Sequence, residues 1–444
     1  MKKHLSLALT ALLLLSSVNL AACDNETTTQ TRDENVLRVA SWDEYIDMGG
    51  EDSYYSADSR PLYEEFEDWY KETYGKTIKV EYVALQDNET MYGKIKMGDH
   101  YDLLCPSEYM IMKLVAEDKL KPFPENFFNP EIEHNYFAQN LSPYIKEVFE
   151  NGKLTNGKSW ADYAAGYMWG STGFVFNPDE IDRSIMTSWN CLTNAACERK
   201  ITAKDNVRDS YFMGLGMYYE NQLLALKEDY QQGKIDKAEY KSTLSTYMND
   251  TSVDTMGKVK KHLENMRKNL YGLETDEGKL EVISGRLAAS FQWSGDAVYI
   301  LDEAEENDLA LEYSIPESAS NLWFDGWVMM KDANEHAATA FVNFISMPQN
   351  VVRNMYYIGY TSCIAGEEVF NYVNDTYSDE EGEEVYDLSY FFGGDHSIVT
   401  SIEQTRRQLF AQYPTAETID RLVVMEYFDA KTNERANRMW NNIK

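Results

Sequence analysis

Apolar residues in the first quarter of the chain switch between two periods. Val36 to Ala40 (VLRVA) and Lys79 to Leu85 (KVEYVAL) alternate as strands, and Tyr101 to Cys105 (YDLLC) is a short apolar run of the same kind. Between them, residues 61–74 space their apolar side chains as a helix opened by Pro61, and residues 90–97 and 111–117 read as two more helices. Strands that alternate with helices predict a parallel α/β sheet. In such sheets ligands gather beyond the carboxyl ends of the strands. Two segments fall there: Ser41-Trp42-Asp43-Glu44-Tyr45 after the first strand and Pro106-Ser107-Glu108-Tyr109 after the third.

Farther along, residues 163–177 (YAAGYMWGSTGFVFN) predict a strand pair or a crossover, and a helix starts near residue 205 with Asp205 as its N-cap. Residues 220–268 are charged and helical, broken at Gln232-Gly233 and again over 249–254, and predict an inserted helical hairpin with a solvated face. Strands are expected over 287–293 and 322–330, a helix over 337–346, an exposed acidic insertion over 375–395 and helix over 416–444. The oxygen spacing in the acidic stretch does not fit a calcium loop, so no metal is expected.

Composition narrows the partner. Against 41 Lys and Arg stand 74 Asp and Glu, a formal charge of −33 that repels phosphates and excludes a nucleic-acid binder. A hydrophobic share of 43% is enough to build packed cores in spite of that charge. The first residues (MKKHLSLALTALLLLSSVNLAACDN) read as an export signal, since the apolar stretch is too short to span a bilayer. Leu20-Ala21-Ala22-Cys23 resembles a bacterial lipobox, with Cys23 lipidated and residues 24–35 as a polar tether. Export makes a disulfide across the short Cys191–Cys197 loop plausible. Cys105 and Cys363 read as buried thiols, with a disulfide between them left open.

Signatures of common enzymes are missing: there is no Walker A loop, no H-E-x-x-H, no G-x-S-x-G and no glycine-rich dinucleotide loop after the first strand. Instead, four segments set an aromatic ring beside a carboxylate or hydroxyl: Trp42-Asp43-Glu44-Tyr45, Ser107-Glu108-Tyr109, Trp293-Ser294-Gly295-Asp296 and Trp323-Phe324-Asp325. An aliphatic amine needs both kinds of group. Rings flank its methylenes and attract the ammonium, and each charge-assisted hydrogen bond to a carboxylate adds roughly 1.5–3 kcal/mol.

These segments stand in the order, and with the local wording, of the bacterial spermidine/putrescine-binding proteins of polyamine ABC transporters. LRVASWDEYI, QDNETMYGKIKMGDHYDLLCPSEYMIMKL, KDNVRDSYFMGLG, FQWSGDAVYI, NLWFDGWVMM and IGYTSC carry the resemblance, which covers about residues 36–440. It implies an α/β, two-lobe periplasmic-binding-protein fold, type II-like, with the ligand cleft between the lobes. Lobe one would be 36–165 plus 322–366, and lobe two 166–321 plus 367–444, with insertions at about 220–270 and 370–395. It further implies a non-enzymatic substrate-binding component that takes putrescine or spermidine without a cofactor and delivers it to a membrane permease. Carried over residue by residue, the ligand-binding set is Trp42, Asp43, Glu44, Tyr45, Ser107, Tyr109, Asp209, Trp293, Asp296, Trp323, Asp325 and Tyr360, with Asp205 and Asn206 as secondary members. Asn206 stands where some spermidine binders have an acid. Arg208 is expected to order its acidic neighbours, and Trp69, Trp160, Trp169, Trp189 and Trp327 to pack in cores or crossovers. Two alternatives stay open: another small cationic solute on the same fold, or a surface lipoprotein with an adhesive or scaffold role.

Overall fold

Three strands open the sheet. Strand β1 (Val36–Trp42) pairs parallel with β2 (Lys79–Leu85) on one side and β3 (Leu103–Leu104) on the other. The computed structural model describes residues 33–274 and 277–444, apart from the side chains of Asp52 and Glu277. The export signal and Cys23 lie outside the described residues. Helix α1 (Leu62–Tyr74) connects β1 to β2 and buries Leu62, Phe66 and Tyr70, a spacing that sets all three on one face. Gly75, at φ 68°, ends it in the left-handed conformation that suits glycine. Helix α2 (Asn88–Met97) is capped by Asp87, whose carboxylate accepts from the Thr90 amide at 2.6 Å. Helix α3 (Glu108–Ala116) follows β3, with Ser107 at its N-cap position.

A second parallel set mirrors the first: Ile201–Lys204 pairs with Ala289–Trp293 and with Gly272–Glu274. Two long strands join the sets. Ser320–Met330 runs antiparallel to β3 and to Ala164–Phe176, which in turn runs antiparallel to Ala289–Trp293. Every residue of both joining strands is buried, which is why their sequences show no alternation of polar and apolar positions. Their register slips between Asp325 and Gly326, where Asp325 faces Met168 and Gly326 faces Gly166. Such a bulge turns the side chains beside it. One apolar core gathers Val39, Phe66, Ile111, Val328 and Phe341, and another gathers Phe174, Trp189, Phe212, Leu263 and Phe291.

Several expectations are corrected. Of the strand pair or crossover expected over residues 163–177, the pair is not formed: residues 164–176 are one strand that runs from one set to the other. The helix after Ile201–Lys204 runs from Val207 to Gln231 and is capped by Asn206, whose side chain accepts from the amides of Arg208 and Asp209. The charged stretch after it forms helices Lys237–Met248 and Val253–Asn269, which bury Tyr240, Leu244, Met248, Val259 and Leu263 and so supply core as well as a solvated face. Residues 416–444 are not one helix: strand Leu422–Val424 pairs with Ser320–Leu322 before helix Ala430–Asn441. Within the acidic stretch, Tyr386, Leu388, Phe391 and Phe392 are buried against the first core. Cys105, Cys191, Cys197 and Cys363 are all buried and all free, so the expected Cys191–Cys197 disulfide is not formed. Trp160, Trp169, Trp189 and Trp327 are buried in the cores and Trp69 packs at the edge of one. Among the described residues no helix is long and apolar enough to cross a membrane.

Candidate functional site

A cavity of about 740 Å³ opens where the carboxyl ends of both parallel sets meet the joining strands. It is lined by all twelve principal residues expected from the sequence, and by Asn206. Asp205 is the exception: its carboxylate accepts from Trp440 Nε1 at 2.9 Å and from Lys444 Nζ at 3.3 Å, tying the C-terminal helix to the body instead of facing the cavity. Asn206 reaches the wall, but its side-chain oxygen is committed to the helix cap.

Asp325 is the centre of one end. Its Oδ2 accepts from Tyr45 Oη at 2.6 Å and from Trp42 Nε1 at 3.2 Å, and the Ser107 hydroxyl bonds to it as well. The partners converge because β1 and β3 are neighbours, and because an isolated bridge joins Ser107 to Asp325 while Gly326 donates to the Pro106 carbonyl at 3.1 Å. Its side chain is buried, which pushes its pKa up, against three donors that favour the ionised form. All of these donors are neutral, so none of them cancels the charge that an ionised Asp325 would offer a cation. The loop between is bent by Glu44, at φ 52°, and Asp43 and Glu44 stand exposed at the cavity mouth. Ser107 is itself held, its hydroxyl accepting from Asn88 Nδ2 at 3.0 Å, and Tyr109 bonds Glu89 at 3.3 Å.

The aromatic rings form a connected wall. Trp323 lies 5.4 Å from Tyr360 between ring centroids, and Tyr360 lies 5.9 Å edge-on from Tyr45. Two glycines leave room for it. A Cβ at Gly295 would sit 1.9 Å from the Tyr360 ring, and one at Gly170 would sit 2.6 Å from Trp323. Trp323 Nε1 is anchored on the Ser171 carbonyl at 3.0 Å.

The opposite end carries charges of both signs. Asp296 Oδ1 accepts from Lys279 Nζ at 2.8 Å and from Tyr360 Oη at 3.2 Å, and its Oδ2 lies 3.5 Å from Lys204 Nζ. Lys204 sits 4.5 Å over the Trp293 ring. Asp209 is buried, bonds the Trp293 side chain and is pushed up to about 6 by desolvation, with Lys204 and Arg208 opposing. Arg208 stacks 4.5 Å from Tyr109 and 4.3 Å from Phe428 and donates to the Glu426 carbonyl. It orders its surroundings by stacking as much as by charge.

Glu108 belongs to one of the four aromatic-acid segments but is absent from the ligand-binding set that the resemblance implies. Both of its neighbours were selected, yet it lines the cavity, is 3% exposed, and is pushed up to about 8 by burial and then by the charge of Asp325. An acid as the first residue of a helix looks like an ordinary dipole partner. Lys204 and Lys279 were passed over too, because no sequence pattern places them beside Asp296.

The family model of bacterial extracellular solute-binding proteins matches residues 62–371. The chain is 24% identical over 332 residues to the spermidine/putrescine-binding periplasmic protein of Salmonella typhimurium, covering 74% of this chain and 77% of that relative. It is 23% identical over 429 residues to the putrescine-binding periplasmic protein SpuD of Pseudomonas aeruginosa, covering 94% and 93%. Among solved structures, the spermidine/putrescine ABC transporter substrate-binding protein PotD of Streptococcus pneumoniae superposes with a TM-score of 0.60 at 24% identity, over 92% of this chain and 98% of that one. At that identity the structural likeness speaks for the fold alone.

Proposed function

The chain belongs to the bacterial extracellular solute-binding proteins, and from that premise we propose that it is the substrate-binding component of a polyamine ABC importer. Putrescine or spermidine would lie in the cavity with one ammonium on Asp325 and its methylenes along Trp42, Tyr45, Trp323 and Tyr360. The observation that carries this reading is Asp325: a buried carboxylate oriented by Tyr45, Trp42 and Ser107, with neutral partners and flat rings around it. A group of this kind stabilises an ammonium strongly once water is displaced. The names of the relatives point to the same ligands.

The remaining roles follow from the proposal. Bound amine is carried, not transformed, so the protein acts without catalysis or cofactor. The two parallel sets would act as lobes, divided near 36–165 plus 322–366 and 166–321 plus 367–444, that close over the ligand and present it to a permease. Export and lipidation of Cys23 would hold the protein in the periplasmic space or at the outer face of the cytoplasmic membrane. Calorimetric titration with putrescine, spermidine and spermine tests the proposal. Micromolar heat with at least one of them is expected, and no heat with any at millimolar concentration overturns it.

A further inference from the structure

Asp296 lines the cavity with an aromatic beside it and stands in a segment that sequence reasoning assigned to amine binding. In the fold its charge is already met. Lys279, on helix Glu277–Ile283, reaches across to it at 2.8 Å, and Lys204, stacked on the Trp293 ring, approaches the other oxygen at 3.5 Å. Lys204 is 1% exposed and leans on Glu274 at 3.9 Å as well, so it belongs to the packed floor. The Lys279 side chain keeps 20% of its surface and lines the cavity itself. Its ammonium therefore stands where an amine group of a ligand would have to stand in order to use Asp296.

Charge counting leads the same way. Glu274, behind the wall, and Asp296, in it, are met by the two lysines; among the described residues the buried carboxyls that remain in the wall are Asp325, Glu108 and Asp209. The Arg208 guanidinium lies among them and interacts with both Glu108 and Asp209. Fully ionised, this buried set has an excess of two negative charges, the complement of a dication, while Asp43, Glu44, Asp87 and Glu89 line the cavity only where it is exposed to solvent. A third ammonium would meet Lys279 as a like charge at short range.

We infer that Lys279 is a specificity-determining residue whose ammonium occupies the Asp296 subsite, so that the cleft selects a diamine over a triamine. This rests on the polyamine reading above. It also changes the role of Asp296, which becomes the anchor of Lys279 and acts on the ligand only through it. Lys279 sits on a short, partly exposed helix at the cavity edge, a position where truncation leaves both cores intact.

The test is calorimetric titration of putrescine and spermidine into the full-length protein and its Lys279→Ala and Lys279→Met variants, with melting curves of each. Methionine keeps the bulk of the stem and removes the charge, so it separates electrostatics from space. The wild type is expected to prefer putrescine by about tenfold or more, and both variants to gain about tenfold or more in spermidine affinity relative to putrescine. A wild type that prefers spermidine, or a putrescine-to-spermidine ratio unchanged in both folded variants, overturns the inference while the polyamine reading survives. Absence of binding by either amine to the wild type overturns both. If the alanine variant melts early, the methionine variant decides.

Discussion

Replacing Glu108 by Gln should make the ligand-free protein more stable and its ligand affinity less dependent on pH. The side chain is 3% exposed, and its hydrogen bond from the Phe324 amide is long, at 3.5 Å. Burial and the neighbouring Asp325 charge raise its pKa from 4.5 to about 8. The sign follows from linkage: the folded chain holds this proton more tightly than the unfolded chain. The stabilisation is therefore complete below about pH 4 and is lost as pH rises through 8. At neutral pH roughly 2.5 of the pKa units have been crossed, which at 1.36 kcal/mol each leaves a penalty of about 3 kcal/mol. Glutamine carries no such penalty, so Glu108→Gln should gain about 2–3 kcal/mol at pH 7 and almost nothing at pH 4.5. Differential scanning calorimetry at several pH values reads this directly.

Binding supplies the second half of the test. A cation seated at Asp325 favours the ionised form of Glu108, so it expels the proton. Wild-type affinity for a diamine should rise by up to about tenfold per pH unit between 6 and 8 and then level off. Titrations in buffers of different ionisation enthalpy should report release of up to about one proton. In the Gln variant the part of the slope due to Glu108 should vanish, leaving only what its buried neighbours Asp209, at about 6, and Asp325 contribute. Equal stability of the two proteins at pH 7, together with an unchanged pH slope, would show that Arg208 already holds Glu108 ionised and would refute the reasoning.

Three further outcomes are expected. Asp325→Asn keeps the shape but removes the charge, and should weaken amine binding by about 2–5 kcal/mol in calorimetry; an unchanged Kd would remove Asp325 from the site. Gly295→Ala forces a methyl into the Tyr360 ring and should cost about 1–3 kcal/mol of stability along with a loss of affinity, read by denaturant melts and titration. Asp205→Ala should leave amine affinity unchanged while amide exchange in helix Ala430–Asn441 quickens, because Trp440 and Lys444 lose their acceptor.

Local pattern carried the sequence reading where one face of an element is buried. KVEYVAL alternates, and the strand observed over Lys79–Leu85 has those same ends. The joining strands, buried on both faces, have no period to read, so residues 163–177 leave a strand pair and a crossover equally open. Residues 375–395 were judged by their acids, although Tyr386, Leu388, Phe391 and Phe392 among them are buried. At the site, the aromatic-acid segments announced themselves by composition and by resemblance. Lys204 and Lys279 did not, and the role of Glu108 within its segment did not either, since their meaning comes from partners that only the sheet order brings near: Asp325 for Glu108 and Asp296 for the two lysines. Asp205 as the helix cap is another such case: Asn206 caps the helix, while Asp205 accepts from Trp440, 235 residues away.

The indole wall has a practical consequence. Of nine tryptophans, Trp42, Trp293 and Trp323 line the cavity, while Trp169, Trp189 and Trp327 are sealed in the cores. Indole emission shifts with the polarity around the ring and is quenched by nearby charged groups. The protein thus carries its own optical reporter: an occupant changes the light from the cavity rings against a constant background from the buried ones. Occupancy can be followed without a label, at concentrations far below those calorimetry needs, and on the timescale of a stopped-flow mixer.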